Sequence, residues 1–169
     1  MTLPNIQLTA LGLYHSAELY STVERNRISL ERNLPWVKRV TCDDSAQQYI
    51  EERINSGEPN SRWLAIFVNG CFSGVFGVKY VDPVKSQCEV GYWLCEEARG
   101  QQVIPRVLNE LIPWIKSQGA KTLEFHCLED NIASIRNAEK VGAILQSTAP
   151  TTLDISDTTR KMCVYALEL

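Results

Sequence analysis

A chain of 169 residues is long enough for one domain that buries roughly two thirds of the surface its unfolded form exposes, so no disulfide framework or metal staple is needed to fold it. Hydrophobic residues make up 44% and charged residues 22%, and no apolar run approaches the ~18 residues of a membrane span, which excludes a helical membrane protein and leaves a soluble globular one. A net charge of −3 with no Lys/Arg cluster longer than a pair argues against nucleic acid as a partner and suits a cationic or amine-bearing one.

The first residues, MTLPNIQLTALGLYHSAE, lack the charged start, long apolar core and small-residue cleavage site of a secretory signal, so a cytoplasmic location is expected. A short strand is predicted near Ile6 to Leu11. From His15 to Arg32 the apolar positions Leu19, Val23, Ile28 and Leu30 follow a helical pattern that loses regularity toward RNLPWV, which predicts two short helices with a bend. In TCDDSAQQYIEERINSG, one of Asp43, Asp44 or Ser45 is a candidate N-cap and Gly57 a stop, marking a further helix. RWLAIFV, CFSGVFGVKYV and QCEVGYWL then read as three antiparallel strands, joined by a tight turn at Asn69-Gly70 and a connection opened by Asp82-Pro83.

From Gln101 to Ser117 apolar residues recur at helical spacing, with Pro113 as an expected bend and Gly119 as the stop. KTLEFHCL is the next strand, NIASIRNAEKV a helix closed by Gly142, and AILQST and KMCVYALEL two final strands around a polar loop. Neither a repeat nor a Gly/Ser/Pro-rich linker interrupts this order, so one domain over residues 1–169 is expected, an α/β mixed sheet with helices on its faces. Six cysteines (Cys42, Cys71, Cys88, Cys95, Cys127, Cys163) show no C-x-x-C spacing and read as buried free thiols. His15 and His126 stand too far from each other and from other ligands to suggest zinc.

The element order is that of the GNAT acetyltransferases. RISLERNLPWV, EVGYWL, RGQQVI and NIASIRNAEKVGAI fall in the order and roughly the spacing of the ribosomal-protein-alanine and ribosomal-protein-serine N-acetyltransferases, a resemblance that runs from about residue 6 to the end. It implies the acyl-CoA acyltransferase fold with a central, mostly antiparallel sheet, acetyl-CoA as acetyl donor, and a primary amine as acceptor, most readily the α-amine of a protein N-terminus. A homodimer is also reasonable on that ground, with the C-terminal strands as candidate interface.

Acetyl transfer from a thioester to an amine requires a hold on the donor's pyrophosphate, a polarised carbonyl, a proton acceptor and a group to meet the leaving thiolate. A strand ending near Leu94 followed by a helix start near Gln101 presents unpaired backbone N–H groups, an anion site in principle. Family members resemble R-G-x-G-x-G/A here; Arg99 and Gly100 match, while Gln102 stands at the central glycine and Ile104 at the last position. The cradle so implied comprises Arg99, Gly100, Gln101, Gln102, Val103 and Ile104. If φ must be positive at Gln102, the glutamine costs ~1 kcal/mol or more.

The resemblance places the carbonyl-polarising N–H near Trp93 or Leu94, on a bulge for which Gly91 is the sequence sign. Glu89 shares a strand face with Trp93 and is the candidate base, since Gln146 stands where other members place a glutamate. Asn131 and Ser134, three apart at a helix start, would hold the pantetheine amides and the sulfur. The N-terminal helices, with Tyr14, Arg25, Arg27, Arg32, Trp36, Lys38 and Arg39, resemble a wall of the acceptor groove, and Glu96, Glu97, Glu129 and Asp130 flank the proposed active edge. Two other readings use the same residues: a non-catalytic CoA-binding or interaction module with a degenerate site, for which Gln102 and Gln146 argue, and an acetyltransferase of polyamines or other small amines.

Overall fold

A computed structural model describes residues 2–169. Seven strands form one sheet in the order β1-β2-β3-β4-β5-β7-β6: β1 (Ile6–Ala10), β2 (Arg62–Val68), β3 (Cys71–Asp82), β4 (Gln87–Leu94), β5 (Thr122–Leu128), β6 (Ile144–Pro150) and β7 (Lys161–Glu168). Every neighbouring pair is antiparallel except β4 and β5, which are parallel because α4 (Val103–Ser117) carries the chain back between them.

The expected bend near the N-terminus separates α1 (Ser16–Arg25) from α2 (Arg27–Glu31) at Asn26, and α3 (Asp43–Ile54) follows. Its N-cap is Cys42, one residue ahead of the three candidates. Ser45 serves it from the third helical position, its Oγ accepting the Thr41 and Cys42 N–H groups at 2.9 and 3.0 Å. The helix after β5 is α5 (Ile132–Lys140).

Two apolar cores cover the two faces of the sheet. On one, Leu19, Val23, Val37 and Ile50 from α1, α3 and the intervening turn pack on Ala65, Val75 and Trp93. On the other, Val103, Val107, Leu108 and Ile115 of α4 pack on Ile66, Phe76, Val78, Val90 and Phe125. Val78, Val90, Leu108 and Ile115 are at most 3% exposed. Pro113 lies on the exposed side of α4, which runs through it as one helix. Of the cysteines, Cys88, Cys95, Cys127 and Cys163 are buried as expected, whereas Cys42 and Cys71 are exposed. All six thiols are free. No helix among the described residues is long and apolar enough to cross a membrane.

β3 carries two irregularities, at Ser73 against β2 and at Lys79 against β4. The second is the bulge expected near Gly91, displaced to the neighbouring strand: β4 pairs in unbroken register from Val90 to Leu94, and the extra residue is Lys79. Gly91 has a different use. A Cβ there would lie 2.8 Å from the Lys79 side chain, which crosses over it. Opposite it, Gly77 leaves room for the Trp63 indole, whose ring atoms a Cβ would meet at 2.3–2.6 Å.

Gly77→Ala should therefore destabilise the fold by about 1–3 kcal/mol through overpacking against Trp63. Urea unfolding checks this; an unchanged midpoint would mean that the indole moves aside freely.

Candidate active site

β4 and β5 are paired only over Gln87–Val90 and Thr122–Phe125. Beyond that point each keeps its outer partner, β3 or β7, to its end, while the two draw apart. The Cys95 N–H bond to Ser73 O at 2.8 Å and the Glu129 N–H bond to Lys161 O at 2.9 Å fix which backbone groups face the gap. By ladder alternation they belong to Tyr92 and Leu94 on β4, and to His126 and Leu128 on β5. Of the two N–H groups expected to polarise a carbonyl, that of Leu94 faces the gap. That of Trp93 points to β3, because alternation allows only one of two neighbours to do so.

After β4 the chain makes a turn of 3-10 helix at Glu96–Ala98 and enters α4 at Val103, two residues later than expected, with Gln101 and Gln102 in the loop. Gly100 has φ +73° and Gln102 φ +62°, so the backbone takes the left-handed shape at both positions although only one is glycine. Gln102 thus keeps the path of the loop at the cost of strain. Among the described residues no protein acceptor meets the N–H groups of Gly100, Gln101, Gln102, Val103 or Ile104. Val103 and Ile104 have buried side chains and offer only these N–H groups. Five donors converge at a helix N-terminus, where the dipole favours an anion, and this fits a pyrophosphate.

Arg99 does not extend from this loop. Its Nε and Nη2 donate to Leu94 O at 3.2 and 3.0 Å, and Nη2 also to Ser29 Oγ at 3.1 Å, so the side chain ties the loop to the end of β4 and to α2. Lys140, expected only as a helix C-terminal charge, donates to Gln102 Oε1 and links α5 to the loop.

Across the gap, Asn131 caps α5 by accepting the Ser134 N–H at 3.4 Å. Ser134 Oγ lies 3.2 Å from the Tyr92 hydroxyl and 3.3 Å from Cys127 Sγ. Burial pushes the Tyr92 hydroxyl up to about 12, only partly offset by its bond to Ser134, so it stays protonated and can donate throughout the neutral range. Cys127 is likewise raised by burial and is a thiol rather than a thiolate. Tyr92 was legible only as a core aromatic; its stacking on Phe76 bears that out, and its hydroxyl adds a polar end in the gap.

A cavity of about 370 Å³ is lined by residues of both parted strands, Tyr92 and Trp93 on β4 and His126 to Leu128 on β5. Glu89 and Trp93 both line it, as strand alternation predicts, and so do Asn131 and Ser134. The Glu89 carboxylate is only 15% exposed and pairs with Lys79 Nζ at 2.6 Å. Trp36, Tyr49, Arg53 and Trp63 line it as well, on the α3 face of the sheet with Trp93. Of the seven N-terminal residues expected in the groove only Trp36 lines it. Arg27 is instead spent on Val37 O and Val40 O, at 2.8 and 2.6 Å, and Tyr14 donates to Ala10 O. Asp130 is held well below the usual carboxylate range by Arg160. Gln146 is an exposed bulge residue on the edge strand β6 and does not line the cavity.

A parallel strand pair that parts beside an anion-binding helix start is an arrangement suited to an acyl-CoA arm threaded through a sheet. Residues 5–144 match the Acetyltransferase (GNAT) domain family, and the chain belongs to that family. It is an acetyl-CoA-dependent N-acetyltransferase. Among curated proteins it is similar to the ribosomal-protein-serine acetyltransferase of Escherichia coli K12, 25% identical over 144 residues, which span 84% of this chain and 80% of the relative. Among solved structures it is similar to RimL, a ribosomal L7/L12 α-N-protein acetyltransferase in complex with coenzyme A (TM-score 0.88, 22% identity, 100% of this chain and 96% of that one). It is also similar to the microcin C7 self-immunity acetyltransferase MccE in complex with acetyl-CoA and AMP (TM-score 0.87, 21% identity, 97% and 92%). A third is the ribosomal-protein-S5-alanine acetyltransferase of Vibrio fischeri (TM-score 0.80, 14% identity, 99% and 95%).

Because Gln102 already holds the left-handed conformation, Gln102→Gly should raise stability by about 1 kcal/mol while changing acetyl-CoA affinity less than about threefold. Thermal unfolding and calorimetry test the two halves. A tenfold tighter complex would show that the glutamine side chain obstructs the cradle.

Proposed function

We propose that the protein acetylates the α-amine of a protein N-terminus, of the ribosomal-protein kind, by direct transfer. The observation that carries this reading is the single cavity that joins Glu89 on one side of the gap to Ser134 on the other. An α-amine has an ordinary pKa of ~8 and is partly neutral at cellular pH, so it needs only a modest proton acceptor, whereas a lysine side chain at ~10.4 needs a stronger one. The relatives named for ribosomal-protein acetylation support the same acceptor class.

Acetyl-CoA supplies the thioester, its pyrophosphate held by the N–H groups of Gly100 to Ile104. The Leu94 N–H points into the gap and stabilises the negative charge that develops on the carbonyl oxygen. Glu89 takes the proton the amine must lose, directly or through one water, with Lys79 orienting its carboxylate. On the far side, Ser134 donates a hydrogen bond to the departing sulfur, and Tyr92 and Cys127 hold the hydroxyl in place. Trp93 acts through its side chain: its Nε1 donates to the Tyr49 hydroxyl at 3.0 Å and fixes the floor of the acceptor cavity.

Ser134→Ala and Glu89→Gln should each lower kcat by about 10–100-fold with acetyl-CoA affinity nearly unchanged. Steady-state kinetics with N-terminal Ser or Ala peptides measures both. Acetyl-CoA binding without turnover on any amine would instead favour the non-catalytic reading.

A further inference from the structure

Arg53 is a charged residue of the cavity lining to which the transfer reaction gives no task. It projects from the last turn of α3 with its guanidinium carbon 3.4 Å from the centroid of the Tyr49 ring, and 5.6 and 5.4 Å from those of Trp36 and Trp63. Its Nη1 donates to Tyr49 O at 3.0 Å. Its Nε is buried without any acceptor, the only such side-chain atom among the described residues.

No carboxylate among the described residues lies within salt-bridge distance of this charge. Glu52, which acts on it through its charge, pairs with Arg39 at 3.8 Å, and the cavity's Glu89 pairs with Lys79. Burial lowers the guanidinium from its usual range, against the opposing pull of Tyr49 and Glu52, yet an arginine stays charged at neutral pH. The aromatic faces stabilise a cation but use none of its N–H donors. A desolvated guanidinium with free donors is costly unless something accepts from them. Lys79 is balanced by Glu89 in the same cavity, so Arg53 carries its unpaired positive charge.

We propose that Arg53 reads an anionic oxygen group, a carboxylate or phosphate, that the acceptor carries close to its reactive amine. Arg53 and Glu89 line the same cavity, so the acceptor's amine meets Glu89 while its anion meets the unpaired Nε–H edge of Arg53, and the substrate carries both charges. In a peptide the anion is an acidic side chain at the second position; in a small acceptor it is the compound's own acid group. This rests on the amine-acetyltransferase reading of the cavity and adds the acceptor's charge pattern to it.

Two matched pairs test it: a Ser-Asp-initiated peptide against its Ser-Asn counterpart, and aspartic acid against its diamide. Calorimetric Kd values for each compound, taken with coenzyme A present, are read beside kcat and KM, so that the outcome does not depend on turnover. The acidic member of at least one pair should bind about tenfold tighter or more, mainly through KM when turnover is measured. Which pair shows the preference identifies the source of the anion. Arg53→Gln should bring the acid-to-amide ratio near one, and Arg53→Lys should retain part of it; thermal unfolding confirms that both variants are folded. The inference is overturned if wild type shows no preference in either pair, or if Arg53→Gln weakens both members equally and leaves the ratio intact, as a purely structural arginine would. A charge preference in binding with no acetyl transfer to any compound would count against the proposed reaction and leave the role of Arg53 standing.

Discussion

The parting of β4 from β5 after Val90 and Phe125 is the constraint on which the site depends. Backbone N–H and C=O groups inside a protein must find partners, and a sheet that opens in its middle exposes two rows of them. Here the outer ladders to β3 and β7 continue to the strand ends, so the opening costs only the inner rows. Leu128 O is met by the Asn131 N–H at 2.9 Å and Leu94 O by Arg99, which leaves the Leu94 N–H and the groups of Tyr92 and His126 to meet what enters. The unpaired rows along the gap are the groups that the proposed reaction assigns to the donor's extended arm.

The two faces divide the work. Toward α4 and α5 lie the anion cradle, Ser134, Tyr92 and Cys127, all polar groups set at the rim of an aliphatic core. Toward α3 lies a cluster of Trp36, Tyr49, Trp63 and Trp93 beside the partly buried side chains of Glu89 and Arg53. Electrostatic contacts are stronger there than in water, so the pairing of Glu89 with Lys79 and the lack of a counter-ion on Arg53 weigh on which acceptors are taken. The glycines Gly77 and Gly91 make this arrangement possible by clearing the sheet surface under Trp63 and Lys79.

The order of strands and helices was legible because each carried a strong period and clear stops, and every element expected from periodicity is present within a few residues. Glu89, Leu94, Ser134 and Asn131 were singled out through strand alternation, helix spacing and family likeness as candidates, and the structure brings them to the parted strands and the helix beside them. What escaped was set by tertiary register. The bulge sits at Lys79 rather than near Gly91, because a one-residue insertion can be taken up by either partner of a pair and Gly91 serves for clearance instead. Arg53 and Tyr49 stand four apart on α3, a spacing that marks one face but not what that face meets. Lys79, the lone charge in GVFGVKYV, was the available sign that an apolar strand borders a polar site. Gln102 was legible as a departure, but only the backbone shows that its left-handed conformation preserves the loop.

The claim that the gap and the loop beside it form the donor's slot is tested most directly by amide hydrogen exchange with and without saturating acetyl-CoA. The account predicts slowed exchange at residues 92–94 and 99–104, with little change along β1, β2 and β6. Binding that leaves those two segments unprotected would contradict it.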